Sequence, residues 1–371
     1  MKKLLCIIMS IFILCTSCFT VMAKEEKEVY FEDATTFYTE FKNVVGIPLR
    51  NYFTISDGVI YNYTDVPDDD GYSSAKVIGI LPTDENKSII ILDSFTRYGE
   101  EVLVTEINIQ QSINRNVVKI EMGENIEKIK GFNASGIEFE IGKGVTSIED
   151  SFYNSKDLVL SVHPENPYFK VDDGALYKTV TNEKQLIAVF ESQENFEVKA
   201  DITSFIAPFG KKDTPENRKV KSITINGNLD EFELGVLKNV NTINIADNVT
   251  QIQYIDISGA KKLSEVDFSK VTAKSIYANT IKYLKKISLP MNCVIESKAF
   301  GSCKNLKEVI VNDTEKAPKI KSKAFKNTSK GIKFYTKSKK IAKQLKKNLK
   351  NSGVKNAKIY VGKKVVYKNV K

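Results

Sequence analysis

The sequence predicts a solenoid, in which short strands from successive coils stack in a ladder. The first observation is a repeated phrase, since Ala299-Phe300 follows Ile295 by four residues and Ala324-Phe325 follows Ile320 in the same way. The second is a recurrent alternation of apolar and polar residues, which is typical of half-buried strands. The third is the length of 371 residues, which exceeds what one globular core usually holds.

Eleven alternating segments set the period of the ladder. Of the ten gaps between their anchor residues, nine are 19 to 27 residues long, which indicates one strand per coil. A single coil cannot bury its apolar side chains, but stacked coils cover one another. We therefore predict a solenoid over residues 102–336, with the outward residues of its strands forming a broad face. The anchors are Ile120, Phe139, Leu160, Val198, Ile225, Ile245, Phe268, Leu289, Val311, Phe334 and Val361.

The clearest repeat unit runs from Leu284 to Val311 and reads LKKISLPMNCVIESKAFGSCKNLKEVIV. This pattern resembles the BspA-type bacterial surface leucine-rich repeat family, and the resemblance extends roughly from Val102 to Val361. The resemblance implies an α/β solenoid with one parallel strand per repeat and short helical or irregular returns. It also implies a role in adhesion or protein contact outside the cell. The side chains expected to form the structural repeat core are Ile295, Phe300, Cys303, Leu306, Val309 and Phe325.

Two regions interrupt or precede the repeats. The gap between Leu160 and Val198 is long, and its Asp173-Gly174 turn followed by apolar runs predicts a hairpin insertion near residues 163–195. A similar phrase, Asp57-Gly58, lies in residues 24–101. We expect that region to be a β-rich cap that closes the N-terminal end of the solenoid.

Residues 1–23 have the pattern of a secretory signal peptide. Two lysines precede an apolar run from Leu4 to Met22, and Val21-Met22-Ala23 places small residues where a signal peptidase cuts. We expect a secreted or cell-surface protein that begins at Lys24 and has no transmembrane span in its mature chain. An uncleaved anchor and lipidation at Cys18 are the alternatives.

The search for chemistry finds few candidates. His163 is the only histidine, so metal sites and catalytic groups that need two are excluded. The acidic stretch Asp65–Asp70 lacks the ligand spacing of an EF-hand and is interpreted as a solvated turn. Cys293 and Cys303 are the only cysteines after the signal, and two buried thiols are the favoured interpretation over a disulfide. We expect no catalytic residue, no metal and no cofactor.

Charge divides the chain into two parts. Residues 24–315 contain 33 basic and 46 acidic residues, whereas residues 316–371 contain 20 lysines and no Asp, Glu or Arg. Within residues 337–371, the segment from Ser338 to Gly353 predicts a helix with an apolar line that packs on the last coil as a C-terminal cap. The lysines expected to bind polyanions are Lys339, Lys340, Lys343, Lys346, Lys347 and Lys350.

The sequence therefore predicts an exported, non-enzymatic recognition or adhesion protein. Its partners would be an extracellular protein or glycan, bound by the repeat face, and an anionic cell-wall polymer that tethers the lysines. Lysine without arginine argues against specific nucleic-acid recognition, and a monomer is expected. The alternative is a secreted hydrolase, because Glu138 and Glu140 flank Phe139 and would share one exposed strand face.

Overall fold

The computed structural model describes residues 52–63, 73–80, 85–97, 99–109, 113, 116–153, 155, 157–181, 183–190, 193–210, 217–312 and 315–371. The chain divides into two units, residues 1–171 and residues 172–371. The signal sequence predicted at residues 1–23 and the acidic stretch at residues 65–70 lie outside the described residues.

The described part of the first unit is built from short strands. They are β1 (Tyr52–Ser56), β2 (Val59–Tyr63), β3 (Ser73–Ile80), β4 (Lys87–Ile90), β5 (Ser94–Arg97), β6 (Glu100–Asn108), β7 (Val117–Glu121), β8 (Lys128–Lys130), β9 (Glu138–Ile141), β10 (Ser147–Glu149) and β11 (Val159–Val162). One sheet has the order β1-β2-β3-β6-β8-β10, with β5 on β6, and a second has the order β11-β9-β7-β4.

The first unit combines hairpins with parallel coils. Strands β1, β2 and β3 pair antiparallel, and the turn between β1 and β2 uses Asp57 and Gly58, whose φ angles of 46° and 81° suit a tight hairpin turn. From β6 onward the pairs between coils are parallel. Strand β4 pairs parallel with β7, so this ladder begins within residues 24–101, which the sequence assigns to the N-terminal cap.

Strand β12 (Phe169–Asp172) spans the boundary between the units, and the second unit continues the pattern. Its strands are β13 (Ala175–Val180), β14 (Glu183–Val189), β15 (Asn195–Val198), β16 (Ser204–Ile206), β17 (Ser222–Ile225), β18 (Leu229–Glu233), β19 (Thr242–Ile245), β20 (Ile252–Asp256), β21 (Glu265–Asp267), β22 (Ser275–Tyr277), β23 (Lys286–Ser288), β24 (Val294–Ile295), β25 (Glu308–Val311), β26 (Lys319–Ile320), β27 (Lys333–Thr336), β28 (Ala357–Val361) and β29 (Lys364–Val370). A 3-10 turn covers Asn217–Lys219, and helix α1 covers Lys339–Asn348.

Each coil of the second unit contributes one strand to each of two ladders. One ladder runs β14-β16-β18-β20-β22-β24-β26, and the other consists of the sheets β15-β17-β19 and β21-β23-β25-β27-β28-β29. The pairs between successive coils from β14 onward are parallel, whereas β13–β14 and β28–β29 pair antiparallel, and β12 pairs with β13 at the edge of the first ladder. Strands β13 and β14 lie within residues 163–195, where the sequence predicts a hairpin insertion. This arrangement confirms the predicted solenoid.

The eleven alternating segments of the sequence correspond to eleven described strands. These are β7, β9 and β11 in the first unit and β15, β17, β19, β21, β23, β25, β27 and β28 in the second. Within the second unit, register places the apolar residues of β21, β23, β25, β27 and β28 in one inward row, which consists of Val266, Ile287, Val309, Phe334 and Ile359, all of them buried. Because the side-chain period of a strand is two, the neighbouring residues point outward.

The second ladder is an addition to the sequence prediction, which placed helical or irregular returns there. Its strands are two to seven residues long, and the buried residues of most of them do not alternate: β18 buries Leu229 and Phe232, three positions apart, whereas β22 buries only Ile276. Neither pattern has the period of two that marks a strand in the sequence. The returns are therefore mostly extended and paired, and α1 is the one α-helix among the described residues.

Glycine allows two coils of the second unit to approach closely. A Cβ atom at Gly259 would overlap the carbonyl oxygen of Gly235, and one at Gly227 would overlap that of Ala200. These positions need a residue without a side chain because the backbone of the neighbouring coil occupies the space.

Among the described helices, none has the length and apolar character that a bilayer crossing requires.

Candidate functional site

The residues predicted as the repeat core lie inside the second unit. Ile295, Phe300, Cys303, Leu306, Val309 and Phe325 each have zero solvent exposure. The Phe300 and Phe325 rings stack with their centroids 5.1 Å apart and their planes at 12°, and Phe334 meets Phe325 edge-on at 5.5 Å. These side chains therefore act as spacers between successive coils.

Cys293 and Cys303 are buried and are not joined in a disulfide, in agreement with the favoured interpretation of the sequence. Cys303 Sγ donates a hydrogen bond to the carbonyl oxygen of Ala278 at 3.0 Å. Burial raises the pKa of the Cys303 thiol to about 11. A thiol held neutral in this way is a poor nucleophile, so Cys303 belongs to the packing of the coil.

Helix α1 and Lys350, two residues beyond its end, present the six predicted lysines on the surface, and we call these six the lysines of α1. Ser338 caps the helix, since its Oγ accepts a hydrogen bond from the Ile341 N–H at 3.2 Å. Ile341, Leu345 and Leu349 are completely buried and join the core of the second unit. The buried line fixes the orientation of the helix and turns the remaining faces to solvent. The exposed lysines are Lys339, Lys340, Lys343, Lys346, Lys347 and Lys350.

Few lysines near the C-terminal end of the described chain have an acidic partner. Within residues 316–371, ion pairs form at Lys321 with Glu296, 2.6 Å, and at Lys333 with Glu308, 3.6 Å. Lys346 instead lies over the ring of Tyr367, with Nζ 4.7 Å from the centroid. Most of the positive charge of this segment is therefore available to a polyanion.

The outward residues of the strands from β21 to β28 form two rows on an open sheet. One row carries both charges and runs Glu265, Lys286, Glu308, Lys333 and Lys358, so that it ends in two lysines. The other runs Asp267, Ser288, Ile310, Tyr335 and Tyr360. We call these two rows the outer face.

Two tyrosines are the largest groups on the outer face. Tyr335 and Tyr360 have ring centroids 4.9 Å apart, and the Tyr335 hydroxyl donates to Glu308 Oε1 at 3.4 Å. Burial raises the pKa of Tyr335, so its hydroxyl stays protonated and remains a donor at neutral pH. Neither tyrosine was predicted from the sequence, and the signal that could have found them is their position directly after a buried strand residue, Phe334 or Ile359.

The carboxylates of the hydrolase alternative lie on an open strand face of the first unit. The Glu138 side chain is 60 % exposed and faces Lys119, whose Nζ lies 4.0 Å from Glu138 Oε1 and 3.0 Å from Glu121 Oε1. Glu140 is exposed on the same strand. An exposed carboxylate that shares a lysine is typical of a solvated strand face and not of a paired acid and base in a cleft.

The other polar candidates have local structural roles. His163 Nδ1 accepts a hydrogen bond from the Glu165 N–H at 3.2 Å, within a turn that the buried Asn166 holds to Gly142 and Val145. Across the described ranges, no three His, Cys, Asp or Glu side chains converge on a position suited to a metal ion.

The comparisons with known proteins concern the repeats. The family model described as a BspA type leucine rich repeat region matches residues 212–332 with six copies. The pneumococcal vaccine antigen PcpA is 14 % identical, with a TM-score of 0.45 over 85 % of this chain and 99 % of that one. A leucine-rich repeat protein from Eubacterium ventriosum is 16 % identical, with a TM-score of 0.35 over 75 % and 94 %.

A leucine rich cell surface protein from Faecalibacterium prausnitzii is 10 % identical, with a TM-score of 0.29 over 84 % of this chain and 96 % of that one. No curated protein matches the chain. The matched range includes Val266, Ile287 and Val309 of the inward row described above, and it confirms the resemblance over residues 212–332. Residues 212–332 are therefore a leucine-rich repeat region of the BspA type.

Proposed function

We propose that this chain is an exported, non-enzymatic recognition protein whose outer face binds an extracellular protein or glycan. The observation that supports this most is the separation of roles along each strand. The inward row is sealed in the core, whereas the outward row displays charges and two tyrosines in register on a stacked sheet. Rigid arrays of this kind give repeat proteins their extended binding surfaces, and tyrosine is enriched at the centres of such surfaces.

The test changes the outer face without touching the core. The double variant Tyr335→Ser and Tyr360→Ser should lose most binding in a pull-down of residues 24–371 from bacterial and host surface extracts, and on an array of purified glycans. The matched control is Tyr254→Ser, because Tyr254 is 45 % exposed on the opposite ladder. Equal retention of the captured partner by the double variant and by the control would refute the assignment of the outer face.

The same proposal includes a tether formed by α1. Its six lysines are exposed, its apolar side is fixed in the core, and residues 316–371 contain no acidic residue. Long-range attraction to a polyanion requires charge that is concentrated and displayed in this way. The anionic polymers of a cell wall are the chemical class that an exported protein meets, and residues 337–371 would also close the end of the solenoid as its C-terminal cap.

Elution from isolated cell walls tests the tether. Changing the six lysines of α1 to Gln should lower the salt concentration needed for elution, whereas changing them to Arg should leave it unchanged because the charge is kept. If the Gln variant elutes at the wild-type salt concentration, α1 is not the tether.

Export depends on residues 1–23, which lie outside the described residues, and it stays a proposal. Cell fractionation followed by mass spectrometry of the mature N-terminus tests it. A terminus at Lys24 supports cleavage, a diacylglyceryl group on Cys18 supports lipidation, and a full-length cytoplasmic chain would contradict export. The hydrolase alternative would depend on Glu138 and Glu140, which lie on the open strand face described above and not in a cleft. We therefore develop recognition as the function.

A further inference from the structure

Seven turns of the second unit carry a basic residue at the same place in the coil. The turns precede β17, β19, β21, β23, β25, β27 and β28. Strand register aligns Ser222 with Thr242, and Glu265 with Lys286, Glu308, Lys333 and Lys358. Counted back from these aligned residues, the basic residue lies four positions earlier in the first five turns and three in the last two. We call this set the basic turn ladder: Arg218, Lys238, Lys261, Lys282, Lys304, Lys330 and Lys355.

Acidic residues are excluded from these turns. The five residues before each aligned position include twelve basic residues over the seven turns and no Asp or Glu. The strands that follow them mix both signs, as in the row from Glu265 to Lys358. The opposite ladder carries acidic outward residues, among them Glu231, Glu233 and Asp256. The absence of acidic residues therefore distinguishes these turns from the strands that follow them and from the opposite ladder.

Hydrogen bonds between coils hold these turns in line. The Asn239 side-chain amide donates to the carbonyl oxygen of Arg218 at 2.7 Å, and the Asn305 amide donates to that of Lys282 at 2.8 Å. The backbone adds further bonds, from the Lys307 N–H to the carbonyl of Lys285 at 2.8 Å and from the Gly331 N–H to that of Lys355 at 2.8 Å. The spacing of the cations is thus set by the coil repeat, which is about 4.8 Å for neighbouring strands.

The cations of the ladder face solvent. Lys282, Lys304, Lys330 and Lys355 are exposed, and none of the four forms an ion pair with a described residue. Lys261 is less exposed, and its Nζ donates to Thr280 Oγ1 at 2.7 Å. At the last two turns a cavity of about 420 Å³ opens between Lys330, Lys355 and Lys371, with Val354 and Asn356 in its lining.

We propose that the basic turn ladder binds a linear acidic polysaccharide, with one carboxylate or sulfate on each sugar, that lies across the coils. This rests on the proposed recognition role and adds a second site with a defined class of partner, distinct from α1. One cation per coil, about 4.8 Å from the next, suits a polymer that carries one charge per sugar ring. A strand of duplex DNA, which carries one phosphate for about every 3.4 Å of helix axis, does not match this spacing.

Two further features fit a sugar polymer. Tyr283 is 50 % exposed beside Lys282, with the ammonium 5.7 Å from the ring centroid, so an apolar ring face lies next to a cation of the ladder. After the first turn the cations are all lysines. A lysine acts as a point charge and, unlike arginine, does not form paired hydrogen bonds with the two oxygens of a planar group.

The test compares three variants that each remove three charges. The ladder variant is Lys282→Gln, Lys304→Gln and Lys330→Gln. The α1 variant is Lys343→Gln, Lys347→Gln and Lys350→Gln. The off-ladder control is Lys274→Gln, Lys298→Gln and Lys323→Gln, all exposed positions outside the seven turns. Binding of full-length protein to polygalacturonate, which has one carboxylate per ring, is measured as a function of salt, with neutral dextran and oligothymidylate as comparison polymers.

The ladder variant should bind polygalacturonate about tenfold more weakly than the off-ladder control at low salt. In a plot of log affinity against log salt concentration, the slope for the ladder variant should be smaller in magnitude by about 2, since each of the three lost contacts contributes about 0.7 for a single flexible strand. Dextran should bind none of the proteins. A melting temperature equal to that of the wild type establishes that the variants fold.

The outcomes separate the two proposals. If only the ladder variant binds polygalacturonate more weakly, the ladder is supported and α1 is not the tether for this polymer. If only the α1 variant binds polygalacturonate more weakly, the tether is supported and the ladder is refuted. An equal loss of binding in the ladder variant and in the off-ladder control also refutes the ladder. Tighter binding of oligothymidylate than of polygalacturonate at equal charge concentration overturns the assignment to an acidic polysaccharide.

Discussion

The outward rows of the two units differ although their inward rows are alike. In the first unit, the strands β4, β7, β9 and β11 bury Ile89, Ile120, Phe139 and Leu160, as the second unit buries Val266 and its neighbours. The outward row of the first unit carries Ser88, Lys119, Glu138 and an exposed Val159, without aligned aromatics. In the second unit the outward rows end in paired tyrosines and lysines.

The buried inward residues therefore define the coil, whereas the outward residues can differ between the units without altering it. The same division explains the basic turn ladder, because a turn residue that contacts no core side chain can be selected for charge alone. The four predictions below test the division, from its largest consequence for stability to its smallest.

Phe300→Ala should destabilise the second unit by about 3–5 kcal/mol, because Phe300 is fully buried and stacks on Phe325. Chemical denaturation followed by tyrosine fluorescence measures the change. Phe139→Ala is the matched variant in the first unit, where Phe139 is fully buried against Phe132 and Phe152. We expect the two variants to affect different unfolding transitions. If the denaturation midpoint of Phe300→Ala equals that of the wild type, Phe300 does not lie in the core.

Gly259→Ala should cost about 3 kcal/mol, at the upper end of the range for overpacking, because the added methyl group meets the Gly235 carbonyl and backbone yields little. The control lies in the first unit, where a Cβ at Gly142 would find Met122 Sδ at 3.7 Å and Gly123 O at 3.9 Å, an ordinary contact. Gly142→Ala should therefore change the free energy of unfolding by less than about 0.5 kcal/mol. Equal effects of the two substitutions would contradict the close stacking of the coils.

Alkaline pH should weaken the second unit through Cys303. Burial raises the pKa of this thiol to about 11 in the folded state, above the ordinary value of 9.0. The unfolded state loses its proton first, so the stabilisation is complete below pH 9 and is lost as the pH rises to 11. The loss should reach about 2 kcal/mol by pH 11.

The free energy of unfolding at pH 8 and at pH 11, compared between the wild type and Cys303→Ala, isolates this contribution from the surface lysines. The variant should be less stable at pH 8, since a buried side chain is shortened, but should lose less stability on going to pH 11. Parallel pH profiles for the two proteins would show that the Cys303 thiol is not shielded from water.

Ser338→Ala should destabilise α1 by about 1 kcal/mol, since the Ile341 N–H loses its acceptor. Ser338→Asp should keep the cap and add a favourable charge at the helix N-terminus, where no acidic residue is present in the first turn. Hydrogen exchange of the first-turn amides measures both effects locally. Equal exchange in the Ala and Asp variants would mean that Ser338 does not cap the helix.

Much of the fold followed from the sequence because its signals are local. Eleven alternating segments identified eleven strands, and Ser338 and the apolar line of α1 identified the helix. The second ladder was missed because a strand with one inward residue, such as Ile276 in β22, has no period. The start of the ladder at β4 was missed because its partner, β7, lies about 30 residues later and pairing at that distance leaves no local trace.

The candidate sites show a similar limit. The six lysines of α1 were evident because they are adjacent in the sequence. The basic turn ladder was not, because Lys282 and Lys304 are 22 residues apart in the sequence and become neighbours only through the register of β23 and β25. Tyr335 and Tyr360 are brought together in the same way by β27 and β28.

The hydrogen bonds that join each coil of the second unit to the next also have a mechanical meaning. The parallel bonds of β21 to β28 act between neighbouring coils, so a pulling force applied to the end of the chain loads one interface at a time. The unit should then yield in steps, and each freed coil of roughly 22 residues would lengthen the chain by about 70 Å. A molecule held by one end in flowing fluid would extend gradually under shear instead of rupturing at once.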